Sequence, residues 1–196
     1  MEKYSEPMPD EEILRRSEAF DPTAFIRSAA IPTKYKLHTF RSRLEARWAV
    51  FMDCMEIAWE YEPEGFQMSD GMRYLPDFWL PRFRWFAEIK PTIAARKAES
   101  KYEQFVMESG QAVLLLVGPP DFKSYEGVTG GAGLLEVDGE GRFVDFSLDT
   151  FWYAEATEEH RLWSQPEYDY KRPHGTQFSA RYAHAIESAR TERFGC

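Results

Sequence analysis

The spacing of apolar residues changes several times along the chain, and each change marks an element. From 40 to 58, Phe40, Leu44, Trp48, Phe51, Met52 and Met55 recur at intervals of three and four. That period predicts an amphipathic helix with one buried stripe. Trp59-Glu60-Tyr61-Glu62 alternates and predicts a strand, and Ser69-Asp70-Gly71 is a turn signal. From Tyr74 to Pro91 (YLPDFWLPRFRWFAEIKP) two aromatic-rich runs flank Pro81-Arg82-Phe83, which predicts two adjacent strands of a hairpin. Helical spacing returns from Ile93 to Ser109, through Ala94, Ala98, Tyr102, Phe105 and Val106, with Gly110 as a stop. The unbroken apolar run from Gln111 to Val117 predicts a central strand buried on both faces.

The flanks are weaker in pattern. Pro9-Asp10-Glu11-Glu12 opens a short helix carrying Ile13, Leu14 and Phe20, and the piece from Asp21 to Lys36 reads as irregular or a short helix. Thr129 to Gly133 reads as a loop, and it lacks the Lys-Ser/Thr of a phosphate loop. Leu134–Val137 and Arg142–Phe146 around Asp138-Gly139 predict a second hairpin. Phe151-Trp152-Tyr153 reads as core, residues 156–175 as irregular and polar, and Phe178, Tyr182, Ile186 and Ala189 as one face of a terminal helix. The expected division is an N-terminal helical extension (1–39), a core (40–118) and a C-terminal extension packed on it (119–196).

Three charged residues sit where a buried hairpin has no use for them: Asp77, Glu88 and Lys90. Burying a charge is costly unless it is paired or binds a metal. Glu88 and Lys90 are two apart, so a strand points them to one face, with Asp77 across from them. The bland alternative is an internal ion pair between Lys90 and one of the carboxylates. Glu45 lies at the edge of the first helical stripe. Taken alone it reads as structural, as the partner of Ser42 in a capping box or of Arg41 in an i,i+4 ion pair.

Pro76-Asp77, a short gap and Glu88-Ile89-Lys90 resemble the signature of the PD-(D/E)XK nuclease superfamily. The order helix, three strands, helix, strand over 40–117 is similar to its αβββαβ core. The resemblance implies a restriction-endonuclease-like α/β fold with a mixed central sheet flanked by helices, and metal-dependent DNA endonuclease activity. It implies that Asp77, Glu88 and the main-chain carbonyl of Ile89 hold Mg²⁺, for which Mn²⁺ can substitute. It implies that Glu45 completes the ligand set and that Lys90 assists the attacking water.

Composition narrows the alternatives. A net charge of −9 argues against a protein that coats nucleic acid. Basic residues nevertheless gather around the motif, and Arg41, Arg43, Arg47, Arg82 and Arg84 are the expected phosphate contacts. Two cysteines, Cys54 and Cys196, exclude a disulfide framework and suit a reducing cytoplasm. The first ten residues are polar and no run approaches a membrane span. His38, His160, His174 and His184 lack metal-ligand spacing. The expected partner is DNA, with a homodimer or a partner subunit for two-strand cutting. The competing class is an inert nuclease-fold binding module, or an acidic mimic of DNA that blocks a DNA-binding enzyme.

Overall fold

A computed structural model describes residues 31–92, 101–120, 131–154, 159–164 and 180–194, and its architecture is mixed α/β. Thr33–Tyr35 (β1) and His38–Phe40 (β2) form a small hairpin, followed by helix Arg43–Cys54 (α1) and the short strand Glu60–Tyr61 (β3). Phe66–Gln67 (β4) and Arg73–Tyr74 (β5) make a second small hairpin. Phe78–Leu80 (β6), Trp85–Lys90 (β7), helix Lys101–Ser109 (α2) and Val113–Val117 (β8) follow. Gly131–Val137 (β9), Phe143–Ala154 (β10), Glu159–Ser164 (β11) and helix Ala180–Thr191 (α3) complete the order.

Seven strands join in one sheet, ordered β11-β10-β9-β8-β7-β6-β3. Every pairing in it is antiparallel except β7 with β8. A parallel neighbour needs a crossover, and the segment containing α2 provides it. β8 is buried along its whole length, as its unbroken apolar run requires. The sheet carries helices on both faces. Phe78, Leu80, Ala87, Ile89, Leu114 and Leu116 pack with α1 and α3, while Phe86, Val113 and Leu115 pack with Tyr102, Phe105 and Val106 of α2.

Local chemistry fixes the boundaries of α1. The Ser42 hydroxyl caps its start by accepting the Glu45 N–H at 3.1 Å. It ends in a Schellman motif: Glu56, at φ 58°, donates its N–H to Asp53, and Ile57 donates to Met52. The helix is therefore shorter at both ends than the predicted 40–58, and Phe40 enters the core from β2.

Other expectations change where pattern was weak. Residues 33–40 are a hairpin rather than irregular or helical, turned at Lys36 with φ 52°. The run from Tyr74 to Leu80 is broken at Leu75-Pro76 into β5 and β6, since proline has no N–H for a ladder. Residues 131–133 extend β9 instead of forming a loop, and 159–164 form β11 inside a stretch expected to be irregular. The segment after β8 thus adds three strands to the same sheet. The terminal helix is present as α3, with Ile186 and Ala189 buried. The expected helix at 9–20, the start of the second helix at 93–100, and His174, Phe178 and Cys196 lie outside the described residues, as do the side chains of Phe151, Trp152, Tyr153 and Tyr182.

Candidate active site

The register of β6 on β7 creates an opening in the backbone ladder. Phe78 faces Ala87 and Leu80 faces Trp85, so the same register carried two residues further sets Pro76 opposite Ile89. Proline cannot donate to the Ile89 carbonyl, and the ladder stops. The Asp77 carboxylate enters the gap and its Oδ2 accepts the Ile89 N–H at 2.7 Å. Pro76-Asp77 and Glu88-Ile89-Lys90 are thereby joined through one backbone position.

β7 carries the rest. Glu88 and Lys90 project from the same face, with Lys90 Nζ 2.9 Å from Glu88 Oε1. Tyr74 donates its hydroxyl to Glu88 Oε2 at 3.1 Å. Lys90 also lies over the Tyr102 ring, with Nζ 5.6 Å from the centroid. Glu45 reaches the cluster from α1, on the other side of the sheet. Its Oε1 accepts the Ser42 hydroxyl at 2.5 Å, and its Oε2 accepts the Tyr61 hydroxyl at 2.6 Å and the Arg41 N–H at 3.2 Å. Glu45, Asp77 and Glu88 are 8%, 4% and 3% exposed.

Arg41 is the cation nearest Asp77. Its Nη2 donates to Asp77 Oδ1 at 2.5 Å, and its Nε lies 2.7 Å from Glu62 Oε1. The expected i,i+4 pair with Glu45 therefore does not form through the guanidinium; the main-chain N–H of Arg41 reaches Glu45 instead. The Arg41 guanidinium, an expected phosphate contact, is bonded to a buried carboxylate while its side chain stays 54% exposed. Among the described residues, four carboxylates (Glu45, Glu62, Asp77, Glu88) gather with Arg41 and Lys90 as ion-pair partners of the last three, and Lys101 lies over the Tyr74 and Tyr102 rings. Burial raises the Asp77 pKa well above the usual carboxylate value, and the charges of Glu88 and Glu45 raise it further. The Ile89 N–H and Arg41 act against that rise. Burial beside Glu88 likewise pushes the Tyr74 hydroxyl up, so it stays protonated and donates.

The remaining basic residues divide. Arg47 donates to the Ala189 and Arg190 carbonyls at the end of α3 and stacks on Phe194 at 5.5 Å, so the fold uses it as a tether rather than as a phosphate contact. Arg43 is half-buried, and its Nε has no hydrogen-bond partner among the described residues. Arg82 and Arg84 are exposed in the turn at the other end of the hairpin, with Arg84 about 13 Å along the chain from Glu88. Tyr61, Glu62 and Tyr74 were not singled out by sequence. Tyr61 lies in an alternating strand and Tyr74 in an aromatic run, and neither pattern marks a hydroxyl aimed at a carboxylate.

Among the described residues no three Asp, Glu, His or Cys side chains stand as a ready-made ion cage. The donor set still fits a hard divalent cation. It offers clustered carboxylate oxygens in excess of cations, and a main-chain carbonyl at Ile89 relieved of its ladder donor. No family model, curated protein or solved structure matches the chain. No helix among the described residues is long and apolar enough to cross a membrane.

Proposed function

We propose that the protein is a metal-dependent DNA endonuclease of the PD-(D/E)XK type. One observation carries this reading: Asp77 and Glu88, both buried, meet around the Ile89 backbone, with Lys90 beside Glu88. A structural ion pair would need one carboxylate. Asp77 and Glu45 add two more buried carboxylates beside the Glu88–Lys90 pair, and the half-exposed Arg41 offsets that charge only in part, which costs stability. The order α1, β3, β6, β7, α2, β8 supports the same fold type.

Asp77, Glu88 and the Ile89 carbonyl would hold Mg²⁺ or Mn²⁺, with Glu45 alongside. When bound, the ion supplies positive charge to the phosphoryl oxygens and lowers the pKa of water. The protein's own groups do the rest. Lys90 orients water for in-line attack and stabilises developing negative charge, and Glu88 keeps that ammonium in place. Tyr61 and Tyr74 hold Glu45 and Glu88 through donated hydroxyl protons. A homodimer or a partner subunit would bring a second centre to the opposite strand.

The rival reading, an inert binding module, has its own support, because Arg41 and Lys90 already pair with Asp77 and Glu88. Cleavage decides between them. With Mg²⁺ or Mn²⁺, wild type should cut at least one substrate in a panel of duplex, nicked, branched and single-stranded DNA. Lys90→Ala, Asp77→Asn and Glu88→Gln should remain folded and lose about 10²-fold or more in rate. A wild type that cuts nothing across the panel leaves the module as the better account.

A further inference from the structure

A cavity of about 470 Å³ opens where β3, β4, β6 and β7 meet. Trp79, Phe86 and Phe66 form its aromatic wall, with ring centroids 4.7 Å apart for Trp79–Phe86 and 5.2 Å for Phe66–Phe86. Glu60, Glu64 and Arg84 stand around it. These opposite charges line one space, yet no ion pair joins Arg84 to either glutamate. Arg84 also holds φ at 57°, a conformation that glycine or asparagine adopts at least cost. A long cationic side chain at that position points to use of the guanidinium, since the turn alone would favour glycine.

Aromatic rings stack on flat unsaturated rings, carboxylates accept hydrogen bonds from exocyclic amines, and a guanidinium holds a phosphodiester. The volume falls within the range of about 300–1,000 Å³ typical of small-molecule sites, room for a base with its sugar rather than for one inserted amino-acid side chain. We propose that this cavity captures an unpaired, amine-bearing nucleobase, stacked on Trp79, with Glu60 and Glu64 reading its amine and Arg84 holding the adjoining phosphodiester. Phe86 lies two residues before Glu88 on the same face of β7, so the cavity sits about 7 Å along the strand from the carboxylates. The proposal deepens the nuclease reading by giving the substrate an unpaired base, and rests on it only for the choice of nucleic acid. Capture needs neither metal nor cutting.

The test is binding in EDTA of labelled dC8, dT8 and a blunt duplex. dC8 should bind about tenfold more tightly than dT8 or the duplex, because thymine has no exocyclic amine and paired bases are out of reach. Trp79→Ala should weaken dC8 by about tenfold or more. Arg84→Gly removes the phosphodiester contact while relieving the backbone, so dC8 binding should weaken about tenfold as the melting temperature holds or rises. That variant decides the question if Trp79→Ala fails to fold. Unchanged dC8 affinity in Arg84→Gly, or equal affinity for dC8 and dT8, would overturn the proposal. So would octa-arginine binding in place of dC8, abolished by Glu60→Gln and Glu64→Gln, which would make the cavity a site for a basic peptide.

Discussion

Burial of the Asp77 carboxylate carries an electrostatic cost in the centre. Its folded-state pKa lies above the ordinary carboxylate value, through burial first and the charges of Glu88 and Glu45 next. Between those two values the folded protein holds a proton that the unfolded chain releases. The stabilisation from this group is therefore fully present below the ordinary value and is lost as pH rises through the raised one. Asp77→Asn should melt higher than wild type at pH 8, with the gap closing on acidification. A pH-independent gap would remove burial of charge as the cause. Arg41 offsets the same charge at 2.5 Å, with a side chain 54% exposed. Arg41→Ala should therefore tighten Mn²⁺ binding at pH 7.5. An effective dielectric near 20, discounted for exposure, puts the gain at roughly 1–2 kcal/mol, about tenfold in Kd. Calorimetry reads it without any cleavage, and an unchanged Kd would mean that Arg41 and the ion occupy different space.

At the level of elements, α1 joins the site to the rest of the fold. Its N-terminus presents Glu45, and its middle presents Arg47 to the C-terminal carbonyls of α3. Those carbonyls have no partner within their own helix, so Arg47 serves as a C-cap supplied from outside. Burial and the nearby Arg43 press the Arg47 pKa down to about 10, which leaves it charged at neutral pH. Arg47→Ala should cost about 2–4 kcal/mol, because it removes two hydrogen bonds at the end of α3 and the guanidinium held over Phe194. Hydrogen exchange should then quicken in α3 before the central sheet. Arg47→Lys should recover only part of the loss, since an ammonium cannot span both acceptors in the same plane. Uniform acceleration across the sheet would instead mark α3 as part of the global folding unit.

For the molecule as a whole, a net charge of −9 would confine the nucleic acid of the proposed function to local basic surface. Arg41 bonds Asp77 and Arg47 bonds the end of α3; on the nuclease reading, Arg43 of α1 and the exposed Arg82 at the hairpin turn are proposed to hold phosphates. Removing either guanidinium should reduce the slope of log affinity against log salt by roughly 0.9. Arg43→Glu and Arg82→Glu should do so about equally for all sequences, because groups that hold phosphates position the duplex without reading it. Fluorescence titration of labelled duplex in Ca²⁺ measures this. A full wild-type slope in both variants would move the surface to another part of the chain.

Short-range periodicity was enough to specify several elements of this chain. The stripe from Leu44 to Met55 marks α1, Gly110 marks the end of α2, and the run to Val117 marks β8, because burial of one face or two follows directly from spacing. Spacing also indicated which carboxylates would meet, since Glu88 and Lys90 share a face by parity and Asp77 stands across a short turn. It did not separate Tyr74 from Phe78, and it left β11 unseen, because strands that gain their stability from neighbours carry little local signal. Strand parity sets the Glu88–Lys90 pair, whereas the partners of the two arginines and the two tyrosines are set by the packed fold. Arg41 turns from Glu45 to Asp77, Arg47 turns inward to α3, and two tyrosines donate to the carboxylates. Each outcome depends on residues 14 to 143 positions apart. A guanidinium on a long, rotatable stem can reach several acceptors, and only the packed backbone selects among them.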